Sequence, residues 1–364
     1  MTDICIPLPP EAFPAHGERI IAQGGAFTAT AFRYPSGVEA LTIRNARGHV
    51  TLLPFLGQMI WDAVFDGRRL TMGNVFPFPR AGASILETYG AFAYHAGVLR
   101  NGTPGPADNH PLHGEMPTAR MDSATLIFGQ NAGGDFAELG GTCEYVMGFG
   151  PHYMARPRVR LRPDSGLIDV EMAVENLSAH PMELMYMLHA NFDFVAGARI
   201  VQPAPFTPER TQVRRTVPGH VTPSPDFLAL LDDLARAPAR MEVLDEPDLY
   251  SPEQVFYIRA PGTDDTGRTR MLMELPDGMA FSVGWRPEDL PFCVRWILND
   301  GDAQVAAFAL PATCEPEGYT AEKAKGNVRL LPPGATARFP VTLGLLGRDE
   351  AAAARAAIAL IRKD

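Results

Sequence analysis

The sequence is poor in the features that mark secreted, membrane-spanning and disulfide-linked proteins. It contains four cysteines in 364 residues, and none of them forms a CxxC pair. We interpret them as reduced thiols of a cytoplasmic protein rather than as a disulfide framework or a zinc site. No apolar run is long enough to cross a bilayer. The N-terminal segment MTDICIPLPPEAFPAHGERI lacks the basic and apolar regions of a signal peptide, so we expect none.

Positive charge is also scarce. The chain has 32 Lys and Arg against 42 Asp and Glu, which gives a formal net charge of −10. Because no basic stripe stands out, the composition argues against nucleic acid or an anionic membrane as a partner. Hydrophobic residues make up 46% of the chain and charged residues 20%, which is typical of a globular protein.

Helical periodicity is rare, and apolar alternation with period two takes its place. In LIDVEMAVEN, Ile168, Val170 and Met172 fall on one face, while Asp169 and Glu171 fall on the other, as in a half-buried antiparallel strand. Turn residues separate such stretches. The alternation predicts strands at 38–45, 57–70, 166–176, 182–192 and 337–346.

Two segments are predicted as helices. SPDFLALLDDLARA (224–237) has Ser224 as N-cap and Pro225 at the first helical position. RDEAAAARAAIALIRK (348–363) has acidic residues in its first turn and basic residues in its last. We therefore predict a mainly β protein, a large antiparallel β-sandwich with few short helices. It would form one domain over 1–364, with 201–265 as an excursion on it and 348–364 as a C-terminal helix.

Histidine is uncommon, with nine residues in the chain, yet two of them stand in HPLHGEMP (110–117). His110, His113 and Glu115 could together hold a metal ion. Against this, positions i and i+3 of an extended strand point to opposite faces, and Pro111 favours extended geometry at His110. The spacing also fails the HExxH pattern. We expect no metal ligand here, although a metal-assisted sugar isomerase stays open as an alternative.

Three motifs resemble one family. HPLHGEMP, MLHANFDF and ATCEPEGYTAEKAKGNVRLLPPGATARFPVTLGLL occur in the order and with the spacing found in the aldose 1-epimerase (galactose mutarotase-like) superfamily. The stretch 96–121 is most similar to an uncharacterised, aldose-epimerase-like branch. The resemblance implies a β-sandwich of the galactose mutarotase type that interconverts the anomers of a free sugar or sugar derivative, with no metal or organic cofactor.

The resemblance also implies roles for individual residues. His189 would be the general acid on the ring oxygen, Glu315 the general base, and His113 would contact and polarise the sugar. Glu317 lies two positions after Glu315 and stays open as the base. Ring opening needs one proton removed from the anomeric hydroxyl and one delivered to the ring oxygen. An imidazole and a carboxylate suit those transfers near neutral pH, and each contributes about 10²–10⁴-fold.

Further residues are candidates for binding the sugar. Trp296 could stack on a sugar face, and polar side chains near the motifs could bind hydroxyl groups. These polar candidates are Arg100, Asn101 and Asp193. HGE in place of the family's usual HGG, and HANFDF in place of HPYFNL, put galactose or glucose specificity in doubt.

The expected partner is a small-molecule carbohydrate, and the sequence leaves monomer and homodimer open. A non-catalytic carbohydrate-binding protein is the alternative from another functional class. It would be favoured if a histidine pKa lay far from neutral or if Glu315 pointed away from the cleft.

Overall fold

The computed structural model describes residues 3–217 and 221–362 and consists mainly of antiparallel strands. One sheet has nine strands, numbered here along the chain. In spatial order they are β1 (Ile4–Pro7), β10 (Ser123–Asn131), β11 (Gly134–Val146), β12 (His152–Leu161), β13 (Leu167–Asn176), β23 (Thr336–Leu346), β19 (Ala280–Trp285), β18 (Thr269–Glu274) and β15 (Arg199–Val201).

The other sheet has fourteen strands. Its continuous path runs through β16 (Thr211–Val213), β17 (Gln254–Ile258), β20 (Phe292–Asn299), β21 (Ala303–Ala312), β14 (Met182–Ala190), β9 (Ala93–Val98), β6 (Met59–Phe65), β5 (Gly48–Leu53), β4 (Glu39–Arg44), β3 (Phe27–Arg33) and β2 (Glu18–Gly24). Three short strands pair with this path: β22 (Arg329–Leu331) with β14, β7 (Arg68–Arg69) with β6, and β8 (Gly73–Asn74) with β21.

The two sheets pack face to face through large side chains. Tyr186 on β14 stacks on Phe339 of β23 with ring centroids 4.6 Å apart, and Phe192 contacts Phe281 of β19 at 5.0 Å. The alternation predicted for β13 is confirmed, since its apolar face, including Ile168, is buried. The fold class is therefore a mainly β, antiparallel sandwich, as predicted.

The helices are short, and both predicted ones are present. Helix α1 (Pro225–Arg236) begins after Ser224, whose hydroxyl accepts the Phe227 N–H at 3.1 Å, so the predicted N-cap is confirmed. Helix α3 (Arg348–Ile361) has no basic residue in its last turn, contrary to the prediction, because it ends before Arg362. The predicted residues 363–364 lie outside the described residues. In the described part of the chain, no helix is long and apolar enough to cross a membrane.

One helix was not predicted. Helix α2 (Tyr319–Ala324) is only six residues long and follows Gly318, whose φ is +86°. Glu315 and Pro316 lie shortly before it in the chain.

Candidate functional site

A cleft with a volume of about 90 Å³ opens on the fourteen-stranded sheet, near the end of β14. Strands β14, β17, β20 and β21 supply its floor, and segments that connect strands supply the rest. Among its lining residues are the polar and aromatic side chains of Tyr89, Thr103, His113, Arg214, Glu253 and Trp296. Its apolar lining is Leu112, Met187, Val255, Val294, Leu310 and Pro316.

His189 lies against this cleft at the end of β14, where it pairs with Tyr94 of β9. Its imidazole stacks on the Tyr94 ring at 4.8 Å and contacts the His113 ring at 4.9 Å. Trp296 contacts the same imidazole at 5.7 Å. The structure therefore brings together His113, His189 and Trp296, although these residues lie far apart in the sequence.

Asn191 determines which nitrogen of His189 carries the proton. The Asn191 amide donates from Nδ2 to the Ala91 carbonyl at 2.9 Å, so its Oδ1 must point toward His189. That oxygen lies 2.8 Å from His189 Nδ1, which therefore donates. Nε2 is left with its lone pair and lies 3.5 Å from the Tyr89 hydroxyl. In its neutral form His189 thus presents an acceptor on this side.

Both imidazoles are held neutral by their surroundings. Burial lowers the pKa of His189 to about 4, although the hydrogen bond to Asn191 opposes the shift. Burial also lowers the pKa of His113 well below its usual value, and nearby His189 and His110 add to the effect. An imidazolium in this position would lose most of its hydration, which explains the direction of both shifts.

His113 is held by its loop rather than by a strand. Its backbone φ is +59°, and the following Gly114 has a φ of +80°. Its N–H donates to the Gly102 carbonyl at 3.0 Å, and its Nδ1 lies 3.4 Å from Asn101 Oδ1. The predicted Asn101 is fully buried, so it supports His113 from behind rather than lining the cleft.

Glu315 is buried and precedes Pro316, which lines the cleft, but Glu315 is not itself one of the lining residues. Its carboxylate forms ion pairs with Arg259 through Oε1 and with Lys325 through Oε2, the latter at 2.7 Å. Glu315 itself is therefore occupied by two cations. Glu317 accepts a hydrogen bond from the Tyr257 hydroxyl and lies 3.9 Å from Arg214.

The carboxylate that lines the cleft is Glu253, at the start of β17, which was not predicted. Trp296 Nε1 donates to its Oε2, and Arg214 lies 3.2 Å from its Oε1. Glu253 also raises the pKa of Tyr89, after the larger effect of burial, so its charge lies near that hydroxyl. Nothing in the local sequence YSPEQVFYI links Glu253 to the histidine motifs.

Like Asn101, the predicted sugar-binding residues Arg100 and Asp193 are not among the residues that line the cleft. Asp193 accepts from the backbone N–H groups of Gly73 and Phe194, and burial raises its pKa while Arg69 opposes that shift. Arg100 donates to the Leu99 carbonyl at 2.7 Å and lies over the Tyr319 ring at 3.7 Å. A residue that is close to a motif in the sequence therefore need not have its side chain in the cleft.

The segment HPLHGE forms a turn, and its polar groups diverge. Glu115 accepts from the N–H groups of Val98 and Leu99 at 2.9 and 2.8 Å, and from the Tyr153 hydroxyl at 2.9 Å. His110 instead contacts the Tyr319 N–H. Within residues 3–217 and 221–362, no three His, Cys, Asp or Glu side chains are arranged to hold a metal ion.

Comparison with known families and structures agrees with this architecture. A family model described as Domain of unknown function (DUF4432) matches residues 35–345. No curated protein matches the chain.

Several solved structures share the fold. A putative aldose 1-epimerase of Klebsiella pneumoniae subsp. pneumoniae MGH 78578 is 20% identical, with a TM-score of 0.79 over 100% of this chain and 97% of that one. A galactose mutarotase-like protein of Clostridium acetobutylicum is 10% identical, with a TM-score of 0.59 over 88% and 99%. A putative aldose 1-epimerase of Escherichia coli K12 is 14% identical, with a TM-score of 0.53 over 84% and 98%. At these identities the likeness shows the fold, which is galactose mutarotase-like.

Proposed function

The chain belongs to the family described as Domain of unknown function (DUF4432), whose model matches residues 35–345, and we propose an activity for it. It interconverts the anomers of a free sugar or sugar derivative in the cleft. The observation that carries the proposal is the contact between two buried imidazoles, His113 and His189, at 4.9 Å beside a cleft that Glu253 also lines. Imidazoles and carboxylates around one small cavity are the groups that ring opening requires.

The proposed roles divide the two proton transfers. His189 delivers a proton from Nε2 to the ring oxygen, and Glu315 takes the proton of the anomeric hydroxyl. His113 polarises the sugar, and Trp296 and Glu253 bind its face and hydroxyl groups. After rotation about the bond to the opened carbonyl, the transfers reverse, and the ring closes with either configuration. The proposed mechanism uses only side chains of this protein and no metal or organic cofactor.

The protonation of His189 limits this mechanism. With a pKa of about 4, about one His189 in a thousand is an imidazolium at pH 7. General-acid catalysis by His189 would therefore become about tenfold faster for each unit that the pH falls between 7 and 5. If His189 acts instead as the base, its neutral form is active, and the rate is flat over that range.

Glu315 and Glu253 compete for the role of base, and Glu317, which accepts from the Tyr257 hydroxyl, stays open as a third assignment. Glu315 is favoured by the sequence resemblance and by its place next to Pro316, whereas Glu253 is favoured by its position in the cleft. Glu315 must exchange its contact with Arg259 or Lys325 for the sugar hydroxyl before it can accept a proton. Glu253 must likewise exchange its contact with Trp296 or Arg214 for the sugar hydroxyl.

A second candidate function is sugar binding without catalysis. The lowered pKa of His189 and the two cations on Glu315 both favour it, because neither group is ready to transfer a proton. Aromatic and apolar residues would still suffice to bind a sugar ring.

Variants of the two proton-transfer groups test the proposal. Anomer exchange would be followed by NMR exchange spectroscopy over a panel of aldoses, ketoses and uronates. We expect His189→Ala and Glu315→Gln to slow exchange by about 10²–10⁴-fold, with much weaker effects on sugar binding. Glu253→Gln would mainly weaken binding if Glu315 is the base. The exposed His16→Gln serves as the matched control.

The outcomes separate the candidates. A slowing in Glu253→Gln as large as that expected for Glu315→Gln, with Glu315→Gln near the wild-type rate, would transfer the role of base to Glu253. A sugar that binds without any acceleration of exchange would support the binding function. Wild-type exchange rates in both His189→Ala and Glu315→Gln would refute the proposed catalytic groups.

A further inference from the structure

His110 and Arg100 belong to the loop that carries His113, yet the proposed chemistry uses neither. Both contact Tyr319, the first residue of helix α2. The segment that ends in this helix also carries Glu315 and Pro316. The loop that carries His113 and the segment that carries Glu315 are thus joined by side chains outside the cleft.

Asp108 makes the most complete of these contacts. Its Oδ1 accepts the Thr320 N–H at 2.9 Å and the Thr320 hydroxyl at 2.6 Å, and its Oδ2 accepts the Gly105 N–H at 2.8 Å. Only 1% of its side chain is exposed. Burial raises the pKa of Asp108, but these hydrogen bonds outweigh that effect and lower it below its usual value. The two hydrogen bonds from Thr320 join the two loops, and the one from Gly105 fixes the carboxylate within its own loop, so little relative motion is allowed.

Tyr319 makes contacts of three kinds. Its ring lies 3.7 Å from the Arg100 guanidinium, its hydroxyl donates to Glu183 Oε2 at 2.8 Å, and its N–H points at His110 Nε2 at 3.4 Å. His110 Nδ1 lies 2.8 Å from the Pro111 carbonyl and so carries the proton, which leaves Nε2 as the acceptor. Lys323, one turn later, pairs with the same Glu183 at 2.9 Å.

The backbones approach closely at the same place. The Thr103 N–H donates to the Pro316 carbonyl at 3.0 Å. A Cβ on Gly102 would lie 2.3 Å from the Pro316 carbonyl carbon, and one on Gly318 would lie 2.6 Å from the Thr103 carbonyl oxygen. Two glycines thus permit a contact that the polar side chains then fix.

We propose that Asp108 and Tyr319 are positioning residues, which hold the His113 loop and the Glu315 loop at the spacing that the reaction needs. We call this contact the loop seam, and it consists of Arg100, Asp108, His110, Glu183, Tyr319 and Thr320. The inference rests on the proposed function. Loss of the loop seam would displace His113 relative to Glu315 and Pro316 while leaving the strand that carries His189 in place. A displacement of about 1 Å can reduce a rate by about 10²-fold.

The decisive variant is Tyr319→Leu, compared with the conservative Tyr319→Phe. We expect Tyr319→Leu to lower kcat for anomer exchange by about 10- to 100-fold, with less than about a threefold change in KM. Tyr319→Phe keeps the ring on Arg100 and should recover most of that loss. Thr320→Val removes only the hydroxyl donor to Asp108 and provides a milder variant that should fold even if Tyr319→Leu does not. Phe128→Leu on β10 of the other sheet, whose ring stacks on Phe27, is the aromatic control.

A second measurement does not require a sugar. The ring C–H resonances of His113 should shift in Tyr319→Leu and Thr320→Val, while those of His95 on β9 stay in place. Unchanged kcat and unchanged His113 resonances in a folded Tyr319→Leu or Thr320→Val would overturn the loop seam as a positioning device. If the wild-type protein accelerates no sugar, the proposed function fails, and the His113 resonances alone then decide for or against the loop seam.

Discussion

The two sides of the cleft are built differently. His189 and Trp296 project from strands whose register is fixed by ladders of backbone hydrogen bonds. His113 and Glu315 project from loops, where side-chain hydrogen bonds, ion pairs and positive φ values determine position. The sheet side therefore owes its geometry to the fold as a whole, whereas the loop side depends on a few individual contacts.

This difference implies different responses to substitution. A changed residue on the sheet side alters the environment of His189 without moving the strand, because neighbouring strands hold it. A changed glycine on the loop side moves the backbone that carries His113. The following substitutions compare the two sides.

The largest effect is expected on the loop side, from Gly114→Ala. A Cβ at this position would lie 2.0 Å from the Arg100 carbonyl oxygen and 2.8 Å from that of Gly97, and φ is +80°. Overpacking and left-handed strain together should cost about 2–5 kcal/mol and displace His113. Thermal unfolding and anomer exchange would both be measured.

Gly267→Ala is the matched control for this prediction. Its φ is +74°, but no heavy atom lies within 4 Å of the added Cβ. Left-handed strain alone should lower the free energy of unfolding of Gly267→Ala, by about 1–2 kcal/mol, and anomer exchange should be unchanged. Equal effects of the two substitutions would show that the close approach of Gly114 to Arg100 is unimportant.

A smaller effect is expected on the sheet side, from Asn191→Ala. It removes the acceptor that orients His189 Nδ1 and leaves the Ala91 carbonyl without its donor. A cost of about 1–3 kcal/mol corresponds to a slowing of about 5- to 150-fold if all of it falls on the transition state. Far-UV circular dichroism should stay that of the wild type, because the strands remain paired.

Asn191→Asp sharpens the same test. A carboxylate beside Nδ1 favours the imidazolium and should raise the pKa of His189 above its present value of about 4. If His189 is the general acid, this variant should exchange anomers faster than Asn191→Ala at pH 7, with its pH profile displaced upward. A profile identical to that of the wild type would show that His189 protonation does not limit the rate.

Much of the sheet side could be predicted from the sequence. Recurring apolar alternation predicted β4, β6, β13, β14 and β23, because successive side chains of a strand point to opposite faces. The two capped helices were predicted for similarly local reasons. Helix α2 has only six residues, too few for helical periodicity to appear, and was missed.

The loop side could be predicted only in part. The motifs led to His113 and Glu315, but no local pattern shows that Arg259 and Lys325 pair with Glu315. For Arg100 and Asp193, which stay predictions as sugar-binding residues, the sequence could not fix where the side chains point, and the structure places both outside the cleft lining. Glu253 was missed because the strand pairing that brings it to Trp296 is a long-range property of the sheet.

The smallest effect concerns the pH dependence of stability. Burial lowers the pKa of His95 to about 3, and that of His189 to about 4, both below the value of about 6.5 in an unfolded chain. Between about pH 6.5 and 4 the unfolded state binds more protons, so stability must fall as the pH falls. Each histidine contributes a slope of up to about 1.4 kcal/mol per pH unit.

His95→Gln tests this account without touching the cleft. His95 pairs with the Tyr186 hydroxyl at 2.8 Å between the sheets, so its loss lowers stability at neutral pH. The slope between pH 6.5 and 4, measured from urea unfolding, should nevertheless become shallower by about one proton. A wild-type slope in His95→Gln would mean that His95 is protonated equally in the folded and unfolded chains, and that the sheet side tolerates charge better than its burial implies.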